Sequence, residues 1–110
     1  MWKLAKPFLQ EAMPELADEL TGLLMKDGET KLAQQVPSLR IVDRCRCGDD
    51  FCSTIYTAPR PKGAWGNNHE TIALDPNEGC MIIDISGGNI VEIEILYRNQ
   101  IRERLLQLRP

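Results

Sequence analysis

The sequence predicts an α+β fold in which N-terminal helices and one C-terminal helix pack on a five-stranded antiparallel meander. Apolar residues recur every three or four positions near both ends of the chain, which is the spacing of an amphipathic helix. Between those ends, short runs of β-branched and aromatic residues alternate with Gly, Pro, Asn and Asp, as in strands joined by turns. The 110 residues are expected to form a single domain over 1–110, with helices in 7–36, the meander in 39–97 and the final helix in 99–108.

The first segment favours two or three helices. Pro7 suits a first helical turn because its missing N–H would be unpaired there, and Pro14 either kinks this helix or begins a second one. An apolar stripe with helical spacing then faces the predicted core; it consists of Leu16, Leu20, Leu23 and Leu24. Gly28 is expected to end this helix in the left-handed conformation. A short helix continues through Val36 and stops before Pro37.

The central segment predicts the first three strands. Strands over 39–46 and 51–57 are joined by a turn centred on Gly48, which tolerates the positive φ that tight turns need. Two prolines follow, and proline cannot donate to a strand ladder, so 58–68 is predicted to be a surface loop. A third strand is expected over 70–74.

The strongest hairpin signal is Gly87-Gly88-Asn89, which links strands over 80–86 and 90–97. Alternation along both strands assigns one face to the core, namely Met81, Ile83, Ile85, Val91, Ile93, Ile95 and Tyr97. The opposite face is expected to be solvated and carries Asp84, Ile90, Glu92 and Glu94 among others. After the sheet, Asn99 is predicted to cap a final helix whose apolar positions are Ile101, Leu105 and Leu108.

This hairpin also carries a resemblance. The runs Gly79-Cys80-Met81-Ile82-Ile83-Asp84 and Ile90-Val91-Glu92-Ile93-Glu94-Ile95-Leu96-Tyr97-Arg98 resemble a strand pair found in small bacterial proteins of unknown function. The resemblance implies a bacterial origin and a compact β-meander. It transfers no catalytic residue to this chain.

Charge is unevenly distributed along the chain, whose formal net charge is −3. Residues 41–96 contain four basic and nine acidic groups, and an acidic surface there speaks against nucleic-acid binding. The first residues lack the apolar run of a signal peptide, and no stretch approaches the length of a membrane span. The sequence therefore predicts a cytoplasmic protein that binds neither nucleic acid nor membrane.

Three of the four cysteines, Cys45, Cys47 and Cys52, flank the predicted first turn. A four-residue loop would place Cys47 opposite Cys52, at a separation that a disulfide tolerates, whereas a three-residue loop would shift the register by one. The three thiols are expected to be close in either register. A zinc site would need a fourth ligand, for which His69 and Cys80 are the candidates. Reduced thiols are the preferred interpretation, with a disulfide and a metal site as alternatives.

The residue types present give little support for a catalytic function. His69 is the only histidine, so a Cys–His nucleophile pair would require it to lie beside one cysteine. Glu92 and Glu94 share a strand face with Asp84 on the neighbouring strand, and alternation on a solvated face accounts for them without acid–base chemistry. Trp65 lies on a Gly-rich loop and is either a lid on the core or a binding anchor. The sequence predicts no enzyme and no cofactor.

The leading functional hypothesis is a small interaction protein, of the antitoxin or toxin-immunity kind, that binds a basic protein partner. Complementary charge speeds association and fixes orientation, which makes an acidic sheet face suitable for such a partner. The predicted binding residues are Trp65, Asp84, Glu92 and Glu94. The alternative is a metal- or redox-responsive module that uses Cys45, Cys47 and Cys52, and a small enzyme ranks third. The sequence does not determine the oligomeric state.

Overall fold

The structure is a computed structural model that describes residues 6–66 and 68–108. Its helices are α1 (Leu9–Ala12), α2 (Pro14–Lys26), α3 (Thr30–Ala33) and α4 (Asn99–Gln107), with a 3₁₀ turn at Val36–Ser38. Its strands are β1 (Asp43–Arg44), β2 (Ile55–Tyr56), β3 (His69–Leu74), β4 (Cys80–Ser86) and β5 (Asn89–Leu96). Helices, one antiparallel sheet and a last helix follow one another along the chain, which confirms the α+β prediction.

The N-terminal helices form where proline and glycine permit them. Pro14 is the first residue of α2, so it begins a second helix instead of kinking the first. Gly28 has a φ of 79° and ends α2 in a Schellman motif, in which the Glu29 N–H donates to the Leu24 carbonyl at 2.8 Å. The short helix α3 stops before Pro37 as predicted, but it ends at Ala33 and so does not include Val36, which begins the separate 3₁₀ turn that contains this proline.

The strand order in the sheet is β1-β2-β5-β4-β3, and all neighbours are antiparallel. A simple meander would pair β2 with β3, but here β5 lies between β2 and β4. Pro59 and Pro61 interrupt hydrogen-bonded pairing directly after β2, so the chain crosses to the far edge before β3 begins. β1 and β2 are two residues long each, much shorter than the strands predicted over 39–46 and 51–57.

The hydrophobic core lies between the helices and one face of the sheet, as predicted. The sheet contributes Ile83, Ile85, Ile93 and Ile95, all at most 3% exposed, and α2 contributes Leu16, Leu20 and Leu24, with Leu23 packed at the edge. The short elements around α2 add further buried residues to the same cluster, namely Leu9, Leu32, Val36, Leu39 and Ile41. Burial of these side chains stabilises the two-layer arrangement.

The β4–β5 hairpin departs from strict alternation at two positions. Its turn residues, Gly87 and Gly88, have φ values of 58° and 83°, as a two-residue hairpin turn requires. The register shifts after Asp84, so that Ile90 opposes Ile85 and joins the core; its predicted solvent-facing position is wrong. Tyr97, predicted to face the core, is 62% exposed with a φ of 63°.

The last helix, α4, packs on the core through Ile101 and Leu105, as its spacing predicts. The predicted cap is wrong, because Asn99 is already inside the helix and Arg98 occupies the N-cap position without a side-chain capping bond. In the described part of the chain, no helix has both the length and the apolar character needed to cross a membrane.

Candidate functional site

The sheet face opposite the helices, here called the outer face, brings the candidate residues together. Directly paired residues on neighbouring strands point to the same face of a sheet. One such row crosses all five strands and consists of Asp43, Tyr56, Glu92, Asp84 and Thr71. Residues that are far apart in the sequence therefore form one continuous polar strip.

Three carboxylates on this face form the carboxylate cluster, which consists of Asp84, Glu92 and Glu94. A carboxylate oxygen from each lies within 4.8 Å of those of the other two. Asp84 is only 6% exposed, and its Oδ1 lies 2.8 Å from His69 Nε2 and accepts a 3.0 Å hydrogen bond from Thr71. Glu92 and Glu94 are half-buried, so the predicted open, solvated face is wrong at these positions.

The carboxylate cluster disfavours full ionisation. Burial, followed by the negative charge of Asp84, raises the pKa of Glu94 to about 7. Burial also raises the pKa of Glu92, although the Trp65 indole N–H opposes this shift. The cluster is thus a concentration of negative charge that a cation would stabilise.

Trp65 lies on the outer face and not in the core. Its Nε1–H donates to Glu92 Oε1 at 3.3 Å, and its carbonyl accepts a 3.2 Å hydrogen bond from the Ser86 hydroxyl. The ring is half-buried, and Trp65 is not a member of the core cluster. The lid hypothesis for the core is therefore not supported, and the binding-anchor hypothesis stays a prediction.

A cleft of about 710 Å³, here called the aromatic cleft, opens beside the carboxylate cluster. It is lined by Lys6, Val42, Asp43, Tyr56, Pro59, Arg60, Pro61, Gly63, Trp65 and Glu92. The guanidinium carbon of Arg60 lies 4.8 Å from the centroid of the Tyr56 ring, and Arg60 Nη2 lies 3.9 Å from Asp43 Oδ2. The loop after β2 thus places its own cation over an aromatic face within the cleft.

The sulfur atoms of Cys45, Cys47 and Cys52 lie within 4.8 Å of one another, which confirms the predicted clustering; we call them the cysteine cluster. The Cys45 N–H donates to the Thr54 carbonyl at 3.0 Å, and this continues the β1–β2 register. The paired backbone ends there, so the choice between a four-residue and a three-residue loop stays a prediction. All three thiols are unbridged.

The two other candidate metal ligands lie apart from the cysteine cluster. His69 pairs with Asp84. It therefore forms no Cys–His pair and supplies no fourth ligand to the cysteine cluster. Cys80 and Cys52 both pair with Leu96 from opposite sides, which leaves one strand between the two cysteines.

Sequence reasoning missed Asp43, Tyr56 and Arg60. Their membership in the cleft depends on the pairing of β2 with β5 and on the course of the loop after β2, and no local signal reports either. Comparison with known proteins adds no member to the site: no family model matches the chain, and no curated protein or solved structure is significantly similar to it.

Proposed function

We propose that this protein is a non-catalytic interaction module whose aromatic cleft accepts an arginine side chain from a basic protein partner. Neutralisation of a basic partner, as antitoxins and toxin-immunity proteins perform it, is a role of this kind. The partner's guanidinium would stack on an aromatic ring of the cleft and pair with Glu92. A planar, weakly hydrated guanidinium suits such a site better than an ammonium group does.

The observation that carries this proposal is the environment of the Glu92 carboxylate. This half-buried carboxylate accepts one hydrogen bond, from the Trp65 indole, at 3.3 Å. Within 6–66 and 68–108, no cation lies within ion-pair distance of it; His69 and Arg60 lower its pKa only from longer range, while Asp84 and Glu94 place negative charge nearby. A partially desolvated carboxylate without a cation is stabilised when a cation is brought to it.

Arg60 supports the choice of guanidinium as the group that is recognised. Its side chain is 50% exposed and 3.9 Å from Asp43, so the contact within the chain is loose. An exposed ion pair of this kind contributes little to stability. Arg60 can therefore leave the Tyr56 ring at small cost when a partner's arginine enters the cleft.

The test measures binding of N-acetyl-arginine amide by NMR, with the Trp65 indole N–H as reporter. We expect a saturable shift of this signal, and no saturable shift with the citrulline analogue, which has a similar shape but no charge. Glu92→Gln should weaken binding about tenfold or more, because a hydrogen bond to a charged group is lost. Arg60→Ala should strengthen binding, since it removes the internal competitor.

The matched control is Glu103→Gln, which removes an exposed carboxylate on α4, outside the residues that line the cleft. It should bind like the parent. Equal binding of the citrulline analogue, or a Glu92→Gln variant that binds like the parent, would show that the cleft does not recognise a cation.

A further inference from the structure

The cysteine cluster has no part in the proposed interaction with a basic partner. We infer that it is a binding site for a thiophilic metal ion of the Zn²⁺ class, held by the thiolates of Cys45, Cys47 and Cys52. The fourth coordination position would be filled by water. This site is independent of the aromatic cleft, so either proposal can fail without the other.

The spacing of the sulfur atoms fits a single ion. Zinc–sulfur bonds of about 2.3 Å in a tetrahedron put the sulfurs about 3.8 Å apart. The three sulfurs of the cluster already lie within 4.8 Å of one another, so shifts of about 1 Å bring them to a common ion. Cys47 is exposed on the turn that contains Gly48, where such a shift disturbs no packed side chain.

The sheet holds the other two ligands in place. Cys45 is fixed by the backbone hydrogen bond from its N–H to the Thr54 carbonyl, and Cys52 pairs with Leu96 of β5. The Cys52 sulfur also lies 3.4 Å from the Thr54 hydroxyl. Two ligands on paired backbone and one on an exposed turn give a site that is preorganised yet open to an entering ion.

Metal binding at this site is coupled to loss of the thiol protons, because the thiolate and not the thiol is the metal ligand. Burial, together with the neighbouring thiols, raises the pKa of Cys45 to about 11. Burial acts in the same direction on Cys52, but hydrogen bonds with Thr54 and with the two neighbouring thiols outweigh it and lower the pKa of this thiol. Binding must release protons, so affinity should rise with pH.

A small cavity beside the cysteine cluster leaves room for a water molecule. In the described part of the chain, no other histidine, cysteine or carboxylate joins the cluster within 4.8 Å. A cavity of about 40 Å³ adjoins the cysteines and is also lined by Arg44, Asp49 and Arg102. A water molecule occupies about 30 Å³ in the liquid, so the cavity can hold one. Three protein ligands with an open position distinguish this site from closed structural zinc sites.

The test uses reduced, metal-free protein in the absence of oxygen. Zn²⁺ is titrated in competition with a chromophoric chelator, and Cd²⁺ is titrated while the sulfur-to-cadmium charge-transfer absorbance is followed. We expect one ion per chain. Cys45→Ser, Cys47→Ser and Cys52→Ser should each weaken binding by more than about 100-fold, because losing a group that only orients a metal ligand already costs about 10–100-fold and losing the ligand itself costs more.

Cys80→Ser is the matched control, since this cysteine is exposed and lies outside the cluster. It should bind like the parent. Thiol counting with a disulfide reagent is a second, independent measurement. We expect four thiols to react in the metal-free protein and one, Cys80, to react in the Zn²⁺-loaded protein. Far-UV circular dichroism verifies that each variant is folded, and the exposed position of Cys47 makes its variant decisive if another misfolds.

Three results would overturn the inference. The first is a Cys47→Ser variant that is folded and binds as tightly as the parent. The second is four reactive thiols in the presence of saturating Zn²⁺. The third is one ion per two chains, which would indicate a site shared between copies.

Discussion

At the scale of single residues, two carboxylates of the outer face behave in opposite ways. Asp43 accepts hydrogen bonds from Arg46 and, at 2.8 Å, from the Arg44 N–H. Burial raises its pKa, but these bonds outweigh burial and lower it below the ordinary value. Among the residues that the structure describes, the charged groups acting on Glu94 are carboxylates, and burial and the charge of Asp84 raise its pKa to about 7. Nearby cations, rather than burial, decide which carboxylate remains ionised.

The raised pKa of Glu94 predicts a pH dependence of stability. Its ordinary value is 4.5, so between 4.5 and about 7 the folded state binds more protons than the unfolded state. The free energy of unfolding therefore falls as pH rises through this window. Glu94→Gln cannot titrate and should gain stability relative to the parent between about pH 5 and about pH 8. Urea denaturation at both pH values measures this change.

The control for this prediction is Glu103→Gln, an exposed position on α4 for which the difference from the parent should stay constant. Glu92, whose pKa burial also raises, should behave like Glu94 when changed to Gln. A Glu94→Gln variant whose stability runs parallel to the parent across the window would contradict the raised pKa.

At the scale of elements, the periodicity of the sequence predicts which side chains of a helix or strand face the core, but it does not predict how the strands pair. The stripe of α2 and the alternation along β4 and β5 identified the core because each element repeats one pattern over several turns or pairs. The lengths of β1 and β2 were overestimated because they are set by pairing with β5, which lies far along the sequence. The bulge that turns Ile90 inward has no local signature at all.

We expect the largest loss of stability when a buried side chain of the central strand, β5, is truncated. Ile93 is fully buried, pairs with both Ile83 and Ile55, and belongs to the core cluster. Ile93→Ala should lower the free energy of unfolding by about 2–5 kcal/mol through lost transfer energy and the cavity left behind. Equilibrium urea unfolding measures this loss. Ile72→Ala, on the edge strand β3 and half-buried, should cost clearly less.

At the scale of the whole molecule, the sequence predicts that the carboxylates of the candidate site lie together, but it does not predict the contact between Trp65 and Glu92. Alternation placed Glu92, Glu94 and Asp84 on one face, and the structure brings them within 4.8 Å. The contact between Trp65 and Glu92 joins residues 27 positions apart through a loop without regular structure. Loop conformation depends on the packed sheet beneath it, so local residue preferences do not reveal which side chain the loop approaches.

One ion pair joins the helical layer to the end of the sheet. Arg98, at the N-cap of α4 between β5 and that helix, donates two hydrogen bonds to the carboxylate of Glu19 on α2, at 2.7 and 2.9 Å. The side chains are 11% and 27% exposed. Such a paired, bidentate contact is geometrically specific, and loss of either partner leaves the other partly desolvated. The pair therefore fixes the position of α2 relative to the sheet.

A double-mutant cycle with Glu19→Gln and Arg98→Met should measure this coupling. We expect an interaction free energy of roughly 0.5–3 kcal/mol from urea unfolding of the four proteins. The matched comparison is the pair between Arg46 and Asp43, whose side chains are 47% and 33% exposed. Solvent screens an exposed pair, so its cycle should give about 0.2–1 kcal/mol and should weaken with added salt. Equal coupling in both cycles, with equal salt dependence, would mean that the shielded position of Arg98 adds nothing to the attachment of α2.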